Sequence, residues 1–193
     1  QKIEIYCDIF NREKKMKSVL LVVLTVIVKA SLFYVGTAYA GSVHDNPSSQ
    51  LLLERELPLY SKVYDDQRDP FKDANAALTL AKATNRNVLI EIGGNWCTWC
   101  HKMDAFLLKN PQVYQSLHSK YVLLKISVSD SNENEDFMKA LPPVLGYPHM
   151  YVSTAGGKML LSKDTAELQD NNGYSSIYWL DFLQQWQLKE RNL

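Results

Sequence analysis

Residues 91–103 read Glu-Ile-Gly-Gly-Asn-Trp-Cys-Thr-Trp-Cys-His-Lys-Met. The apolar run Val88–Ile92 leads into this stretch and predicts a strand, and the residues after it are compatible with a helix. Two cysteines three positions apart can place both sulfurs at the first turn of a helix, where free N–H groups and the helix dipole favour negative charge. Because a thiolate is the nucleophile in disulfide exchange, this placement favours its formation. The stretch therefore predicts a redox-active dithiol formed by Cys97 and Cys100.

The composition of the chain is that of an ordinary globular protein. Its 193 residues are 46% hydrophobic and 22% charged, and the formal net charge is +0. Without an excess of positive charge, nucleic acid is not expected as a partner. Cysteine occurs only at Cys7, Cys97 and Cys100, which argues against a small fold held together by several disulfides. We expect one domain with a hydrophobic core, and a monomer.

The first 40 residues have the pattern of a secretory signal peptide. A basic stretch at 14–17 precedes an apolar run at 19–28, and residues 38–40 (Ala-Tyr-Ala) provide a cleavage site of small residues. We predict that translation starts at Met16 and that cleavage follows Ala40, which makes the protein exported and periplasmic. The alternative is an uncleaved membrane anchor, although the apolar stretch is shorter than the roughly 20 residues that span a bilayer.

The remaining residues predict an α/β fold with a central mixed sheet flanked by helices. Residues 41–69 form a leader, expected as an N-terminal helical extension, and 70–193 form the domain. Apolar residues spaced by three and four predict a helix from Pro70. Two glycines, Gly156-Gly157, predict a hairpin, and the polar segment 162–173 predicts a surface loop. We expect strands at Val88–Ile92, Tyr121–Val128, Met150–Ser153 and Lys158–Leu161, and helices at Cys97–Leu108, Pro111–Leu117, Asp136–Leu141 and Ser175–Leu188.

The chain from residue 71 to residue 186 resembles the thioredoxin superfamily. It is similar to exported thioredoxin-like proteins with a W-C-x-W-C-H/K core, relatives of the C-terminal domain of the membrane disulfide reductase DsbD. The resemblance depends on the motif at 96–101 after a strand, on Pro148 before a hairpin and on a terminal helix, in the family's order. It implies a thioredoxin fold and a thiol–disulfide oxidoreductase that acts as a reductase on protein or peptide disulfides.

The resemblance also implies what the protein needs for turnover. No metal and no organic cofactor is expected besides the Cys97–Cys100 disulfide. A redox partner must recycle the dithiol, and a membrane disulfide reductase is one candidate. By resemblance, Cys97 is the exposed attacking thiol and Cys100 the buried resolving thiol. The position of Cys97 at the helix end agrees with this assignment. The alternative is a static disulfide or a pair of inert thiols.

Glu91 is a second candidate catalytic residue. A carboxylate within an apolar strand is costly unless it is paired or neutral. Glu91 lies six positions before Cys97, where thioredoxins have a buried aspartate. The resemblance implies a proton acceptor for Cys100, with a pKa raised by burial. The alternative is a glutamate at the strand edge that reaches solvent.

The resemblance implies further roles around the motif. Pro148 corresponds to a cis-proline that faces the disulfide, so that Tyr147 offers its backbone to an extended substrate. An ordinary trans turn proline is the alternative. Trp96 is expected to shield the sulfurs, and the intervening pair Thr98 and Trp99 is expected to tune the redox potential.

Charged residues after the motif leave more than one interpretation open. His101 lies four positions after Cys97, on the same helix face, so a protonated ring could stabilise the thiolate. An ordinary surface histidine is the equal alternative. Lys102 and Asp104 are expected to be surface charges without a special role.

Two other functions fit parts of the pattern. Residues 97–101 also match C-x-x-C-H, the attachment motif of c-type haem. That interpretation needs His101 and a distal ligand, for which the candidates are Met138, Met150 and Met159. Zinc is disfavoured because a four-ligand site would have only two cysteines. The other alternative is a binding or chaperone-like module that uses the groove beside Pro148 without turnover.

Overall fold

The computed structural model describes residues 54–187. The predicted signal peptide, with its start at Met16 and its cleavage site after Ala40, lies outside the described residues, as do Cys7 and the first part of the leader. These assignments and the domain boundaries therefore stay predictions. Within 54–187, none of the helices combines the length and the apolar character that crossing a bilayer requires.

A mixed four-stranded sheet forms the centre of the fold. Its strands are β1 (Asn87–Gly93), β2 (Tyr121–Ser127), β3 (His149–Ser153) and β4 (Met159–Asp164). They lie in the order β2-β1-β3-β4, with β1 parallel to β2 and the other pairs antiparallel. All residues of β1 and β2 are buried, as expected for strands covered on both faces. The predicted α/β fold with a mixed central sheet is confirmed.

Helices of the described part of the chain pack around the sheet. They are α1 (Pro70–Thr84), α2 (Thr98–Lys109), α3 (Pro111–Lys120), α4 (Glu135–Met138) and α5 (Ser176–Gln185). The start of α1 is as predicted: the Asp69 carboxylate accepts hydrogen bonds from the N–H groups of Phe71 and Lys72, and Pro70 suits the first turn. Asn85 ends α1 in the left-handed region, with φ of 52°.

Side-chain alternation along β1 divides the core into two parts. Val88, Ile90 and Ile92 pack with Ala77 and Ala81 of α1 on one face. On the opposite face the core contains residues from β1, β2 and β3 together with α2, α3 and α5, namely Leu89, Met103, Leu107, Leu117, Leu123, Met150 and Trp179. Successive strand residues point to opposite faces, so Glu91 shares the second face with Leu89.

The predicted hairpin joins β3 to β4. The N–H of Thr154 donates to the carbonyl of Lys158 at 2.9 Å, and Gly157 has φ of 84°, which a residue with a side chain adopts rarely. The loop predicted at 162–173 is wrong, because β4 continues to Asp164 and a 3-10 helix follows at Thr165–Leu168. Thr165 and Leu168 are buried, and this inward packing orders a segment that is otherwise polar. Two short strands complete it, β5 (Gln169–Asp170) and β6 (Gly173–Tyr174).

Residues 58–69 form an N-terminal strap that packs on the sheet. A 3-10 helix at Leu59–Ser61 is the helical part of the strap. The hydroxyl of Ser61 donates to the carbonyl of Leu123 at 2.5 Å, and the carboxylate of Asp66 accepts a hydrogen bond from Ser127 at 2.6 Å. Both contacts join the strap to β2 or its end, so the strap has a fixed position in the domain.

Candidate active site

A disulfide joins Cys97 and Cys100 at the N-terminus of α2, with 5.2 Å between the Cα atoms. Cys97 is the N-cap residue, and its Sγ accepts a hydrogen bond from the N–H of Cys100 at 3.1 Å. The expectation of an exposed Cys97 is wrong for this oxidised form, because its exposed fraction is only 3%. The reason is that its sulfur points toward the helix end, where it bonds to Cys100. Cys100 is completely buried, as the resemblance implied.

Glu91 is buried in the middle of β1, with an exposed fraction of 1%. The hydroxyl of Tyr64 donates a hydrogen bond to Glu91 Oε1, and Lys125 Nζ lies 3.8 Å from the same oxygen. Burial raises the pKa of Glu91, while the Lys125 ammonium opposes the rise. The alternative of a glutamate that reaches solvent is therefore wrong. The role of Glu91 as proton acceptor stays a prediction.

Lys125 and Asp104 complete the charged group below the disulfide. Lys125 is buried, and its Nζ lies 2.5 Å from Asp104 Oδ1. Burial alone lowers the pKa of Lys125, but the carboxylates of Glu91 and Asp104 outweigh that effect and raise it. The expectation that Asp104 is an ordinary surface charge is wrong, since it holds a buried cation. A lysine within an apolar strand is the same signal that identified Glu91, and it could have identified Lys125 too.

The loop before β3 brings Tyr147 and Pro148 to the site. The Tyr147–Pro148 peptide bond is cis. The hydroxyl of Thr165 donates to the carbonyl of Pro148 at 2.6 Å. The prediction of a surface loop at 162–173 gave no reason to expect this contact. The ring of Tyr147 meets that of Trp96 edge to face, with 5.2 Å between centroids. Since Trp96 precedes Cys97, this contact joins the proline loop to the dithiol motif.

The indole of Trp96 is fixed but largely open to solvent. Its Nε1 donates to the carbonyl of Val128 at 2.6 Å, and its exposed fraction is 56%. A cleft of about 980 Å³ opens beside Trp96 and Tyr147. Its lining includes the apolar residues Val128, Met138 and Val144 and the charged residues Asp130, Glu133, Glu135 and Lys139.

The other motif residues lie on the surface of α2. Trp99 meets Tyr174 edge to face at 6.0 Å, and the ammonium of Lys102 lies 4.0 Å from the centroid of the Trp99 ring. Nε2 of His101 donates to the carbonyl of Asn95 at 2.8 Å, and the ring is exposed. The tuning roles of Thr98, Trp99 and His101 stay predictions.

Three observations bear on the haem and metal interpretations. Both sulfurs are joined to each other, and in this state neither can form a bond to a haem. Met150, one candidate distal ligand, is completely buried in the core. In the part of the chain from 54 to 187, no three His, Cys, Asp or Glu side chains are grouped so as to hold a metal ion. The haem interpretation stays an untested alternative.

Comparisons with known proteins agree with this fold. Residues 69–154 match a family model described as thioredoxin-like. The crystal structure of a disulphide isomerase from Xylella fastidiosa Temecula1 is 26% identical, with a TM-score of 0.55, and the match covers 67% of this chain and 96% of that chain. No curated protein matches the chain significantly.

A second solved structure supports the fold alone. The C-terminal domain of DsbD from Neisseria meningitidis, in the oxidised form, is 19% identical with a TM-score of 0.50, and the match covers 65% of this chain and 99% of that chain. The sheet order, the cysteine pair at the start of α2 and the family match all point the same way. The chain has a thioredoxin-like fold, similar to that of the C-terminal domain of DsbD, and its residues 69–154 match the thioredoxin-like family model.

Proposed function

We propose that this protein is an exported thiol–disulfide oxidoreductase that reduces disulfides of protein or peptide substrates. The observation that carries the proposal is the Cys97–Cys100 disulfide at the N-terminus of α2, with the buried carboxylate of Glu91 in the strand before it. The match of residues 69–154 to the thioredoxin-like family model supports disulfide exchange as the reaction. Reduction rather than oxidation is inferred from the similarity to the DsbD domain, and export is inferred from the pattern of residues 1–40.

The reaction proceeds in two exchanges. The Cys97 thiolate attacks one sulfur of the substrate disulfide, a mixed disulfide forms, and the second substrate sulfur leaves as a thiolate. Cys100 then loses its proton, with Glu91 as the acceptor, and its thiolate attacks Cys97 Sγ. The Cys97–Cys100 bond forms, the bond to the substrate breaks, and the substrate is released with two electrons from the dithiol. A recycling partner returns these electrons to the protein.

The aromatic face beside the dithiol is the proposed binding surface. Trp96 and Tyr147 contact each other and are both exposed, so they offer an apolar platform close to Cys97. The backbone of Tyr147 and the cis bond to Pro148 suit an extended substrate segment. We assign Trp96, Tyr147 and Pro148 to substrate binding, and Thr98, Trp99 and His101 to tuning of the potential.

The direction of electron flow is tested by the reduction potential of the Cys97–Cys100 pair. Thiol trapping across a dithiothreitol or glutathione series gives the ratio of dithiol to disulfide. A value of about −270 mV, as in thioredoxin, supports a reductase, whereas a value of about −120 mV, as in DsbA, supports an oxidase. The absence of a reversible transition would contradict any role in disulfide exchange.

Catalysis is separated from simple binding by Cys97→Ser. If the protein is an oxidoreductase, this variant loses insulin reduction but still binds an unfolded, disulfide-containing peptide. Undiminished turnover by Cys97→Ser would refute the assignment of the nucleophile.

Two further experiments test the remaining alternatives. A Soret band in protein matured in a haem-attaching host would favour the haem alternative. Export is tested by the mass of the protein recovered from the periplasm, which should correspond to a chain that begins at Gly41.

A further inference from the structure

Tyr64 reaches the site from the N-terminal strap, before the residues that match the family model (69–154). Its side chain is 4% exposed, and its hydroxyl donates a hydrogen bond to Glu91 Oε1. The carbonyl of Tyr64 accepts a hydrogen bond from the Asn95 side chain at 3.0 Å, and Lys125 Nζ lies 4.8 Å from the ring centroid. Tyr64 is therefore held by contacts to its backbone carbonyl, its ring and its hydroxyl.

The same phenol packs against the disulfide. Tyr64, Cys97 and Cys100 form one buried cluster. A Cβ placed on Gly93 would lie 2.6 Å from Cys100 Sγ and 2.6 Å from Tyr64 Oη. The two atoms are therefore no more than twice that distance apart, and they approach each other over a glycine that carries no side chain. The hydroxyl of Tyr64 thus bonds to the carboxylate of Glu91 and also approaches the resolving sulfur beside Gly93.

A tyrosine hydroxyl can accept one hydrogen bond while it donates another. We propose that Tyr64 is the proton relay of the resolving step and conducts the proton of Cys100 to Glu91. This role rests on the proposed function, because it concerns the resolution of a mixed disulfide. Burial and the nearby Glu91 carboxylate raise the pKa of Tyr64 well above its ordinary value, so the phenol keeps a proton at rest.

The relay step conserves protons and charge. The Cys100 thiol gives its proton to Tyr64 Oη as the Tyr64 hydroxyl gives its own proton to Glu91 Oε1. The products are a Cys100 thiolate, a neutral tyrosine and a neutral Glu91 carboxyl. The thiolate then attacks Cys97 Sγ, and the substrate sulfur leaves as a thiolate that takes a proton from water. A raised pKa of Glu91 suits this task, because the carboxylate must accept a proton from a weak acid.

The test is a single-turnover measurement on the full-length chain with Tyr64→Phe. Reduced protein is mixed with oxidised glutathione and quenched with acid, and the mixed disulfide and the closed Cys97–Cys100 disulfide are counted by peptide mass. We expect formation of the mixed disulfide at the wild-type rate and its resolution about 10-fold more slowly near neutral pH. Above about pH 9, where hydroxide ionises the thiol directly, the difference should nearly vanish.

Tyr60→Phe is the matched control. Tyr60 is a buried tyrosine of the same strap that packs in the core cluster on the α1 face instead. The Tyr60→Phe variant should resolve the mixed disulfide at the wild-type rate. A second comparison uses Glu91→Gln, in which Tyr64→Phe should cause no further slowing because the acceptor is already lost.

The outcomes separate the relay from other roles. If Tyr64→Phe slowed resolution of the mixed disulfide by the same factor at every pH, the relay would be overturned and Tyr64 would have a packing role. The same conclusion would follow if Tyr64→Phe slowed resolution equally in the wild-type and the Glu91→Gln background. Resolution of the Tyr64→Phe mixed disulfide at the wild-type rate would overturn it as well. A proton inventory of wild-type resolution in mixtures of H₂O and D₂O needs no variant: a quadratic dependence supports two protons in transfer, and a linear one overturns the relay. If the wild type forms no mixed disulfide at all, the proposed function fails instead.

Discussion

Lys125 and Glu91 are register partners across the parallel strands β1 and β2, and Lys125 Nζ lies 3.8 Å from Glu91 Oε1. Asp104 of α2 approaches the same ammonium much more closely, at 2.5 Å. The buried Lys125 ammonium is therefore paired more closely with Asp104 than with Glu91. Because the stronger pairing goes to Asp104, burial dominates at Glu91 and raises its pKa in spite of the neighbouring cation. As a result, Glu91 is a carboxylate in the strand before the disulfide that can accept a proton.

Replacement of the cation should be costly. Lys125→Met leaves Glu91 buried without a counter-charge, so we expect a loss of about 3 kcal/mol in the free energy of unfolding near neutral pH. Urea unfolding of the oxidised protein measures this loss. The double variant Lys125→Met/Glu91→Met should recover most of the stability, because no unpaired charge stays buried. A single Lys125→Met variant as stable as the wild type would mean that the ion pair does not contribute.

The raised pKa of Glu91 should make stability depend on pH. Between the ordinary pKa of 4.5 and the raised value in the folded state, the folded protein binds more protons at Glu91 than the unfolded chain does. The contribution of Glu91 to stability is therefore most favourable below the unfolded pKa and declines as the pH rises through the folded pKa.

Glu91→Gln isolates this contribution, since the other titrating groups are common to both proteins. The difference in unfolding free energy, wild type minus Glu91→Gln, should fall as the pH rises through that interval. Urea unfolding at a series of pH values measures it. A difference that grew with pH would mean that the pKa of Glu91 is lowered on folding, against the effect of burial.

The sequence predicted most of the fold and part of the site. The strand at Val88–Ile92 is apolar apart from Glu91, so its position followed from the hydrophobic pattern. The position of Cys97 and Cys100 at the start of a helix followed from the spacing of the two cysteines after that strand. Burial of Glu91 was one of two interpretations, since the apolar run indicates a strand covered on both faces, whereas a glutamate at the strand edge would reach solvent.

The missing parts depend on contacts between residues far apart in the chain. Tyr64 lies in a polar leader, and nothing in its neighbourhood indicates that it meets Glu91, 27 positions later. Thr165 lies in a segment whose polar composition favoured a loop, yet its hydroxyl bonds to Pro148. Asp104 was assigned to the surface because acidic residues on helices are commonly exposed. Local periodicity contains no information on these tertiary partners.

Thr165 should stabilise the proline loop. Thr165→Val keeps the volume but removes the donor to the buried carbonyl of Pro148, so we expect a loss of about 1–2 kcal/mol in unfolding free energy and a higher KM for a peptide disulfide. Thr79→Val is the control, because the Thr79 hydroxyl donates to the carbonyl of Asn75 on the solvent-exposed side of its own helix. The control should stay within about 0.5 kcal/mol of the wild type. Equal effects of the two substitutions would argue against a specific role for the Thr165–Pro148 contact.

Gly93 should be intolerant of a side chain because two functional groups meet above it. In Gly93→Ala the new methyl would lie 2.6 Å from both Cys100 Sγ and Tyr64 Oη, so both groups, or the backbone that carries the methyl, must move. Overpacking of this kind costs about 1–3 kcal/mol in unfolding free energy, and displacement of either group should slow resolution of the mixed disulfide.

Gly146→Ala is the matched control for this substitution, since a Cβ at Gly146 would meet nothing within 4 Å. We expect it to change the unfolding free energy by no more than about 0.5 kcal/mol. Urea unfolding and the glutathione single-turnover measurement compare the two variants directly. If Gly93→Ala were as stable as Gly146→Ala and resolved its mixed disulfide as fast as the wild type, Tyr64 and Cys100 could separate without consequence. Their close approach would then have no part in the reaction, because a proton can pass only between groups that stay within reach of each other.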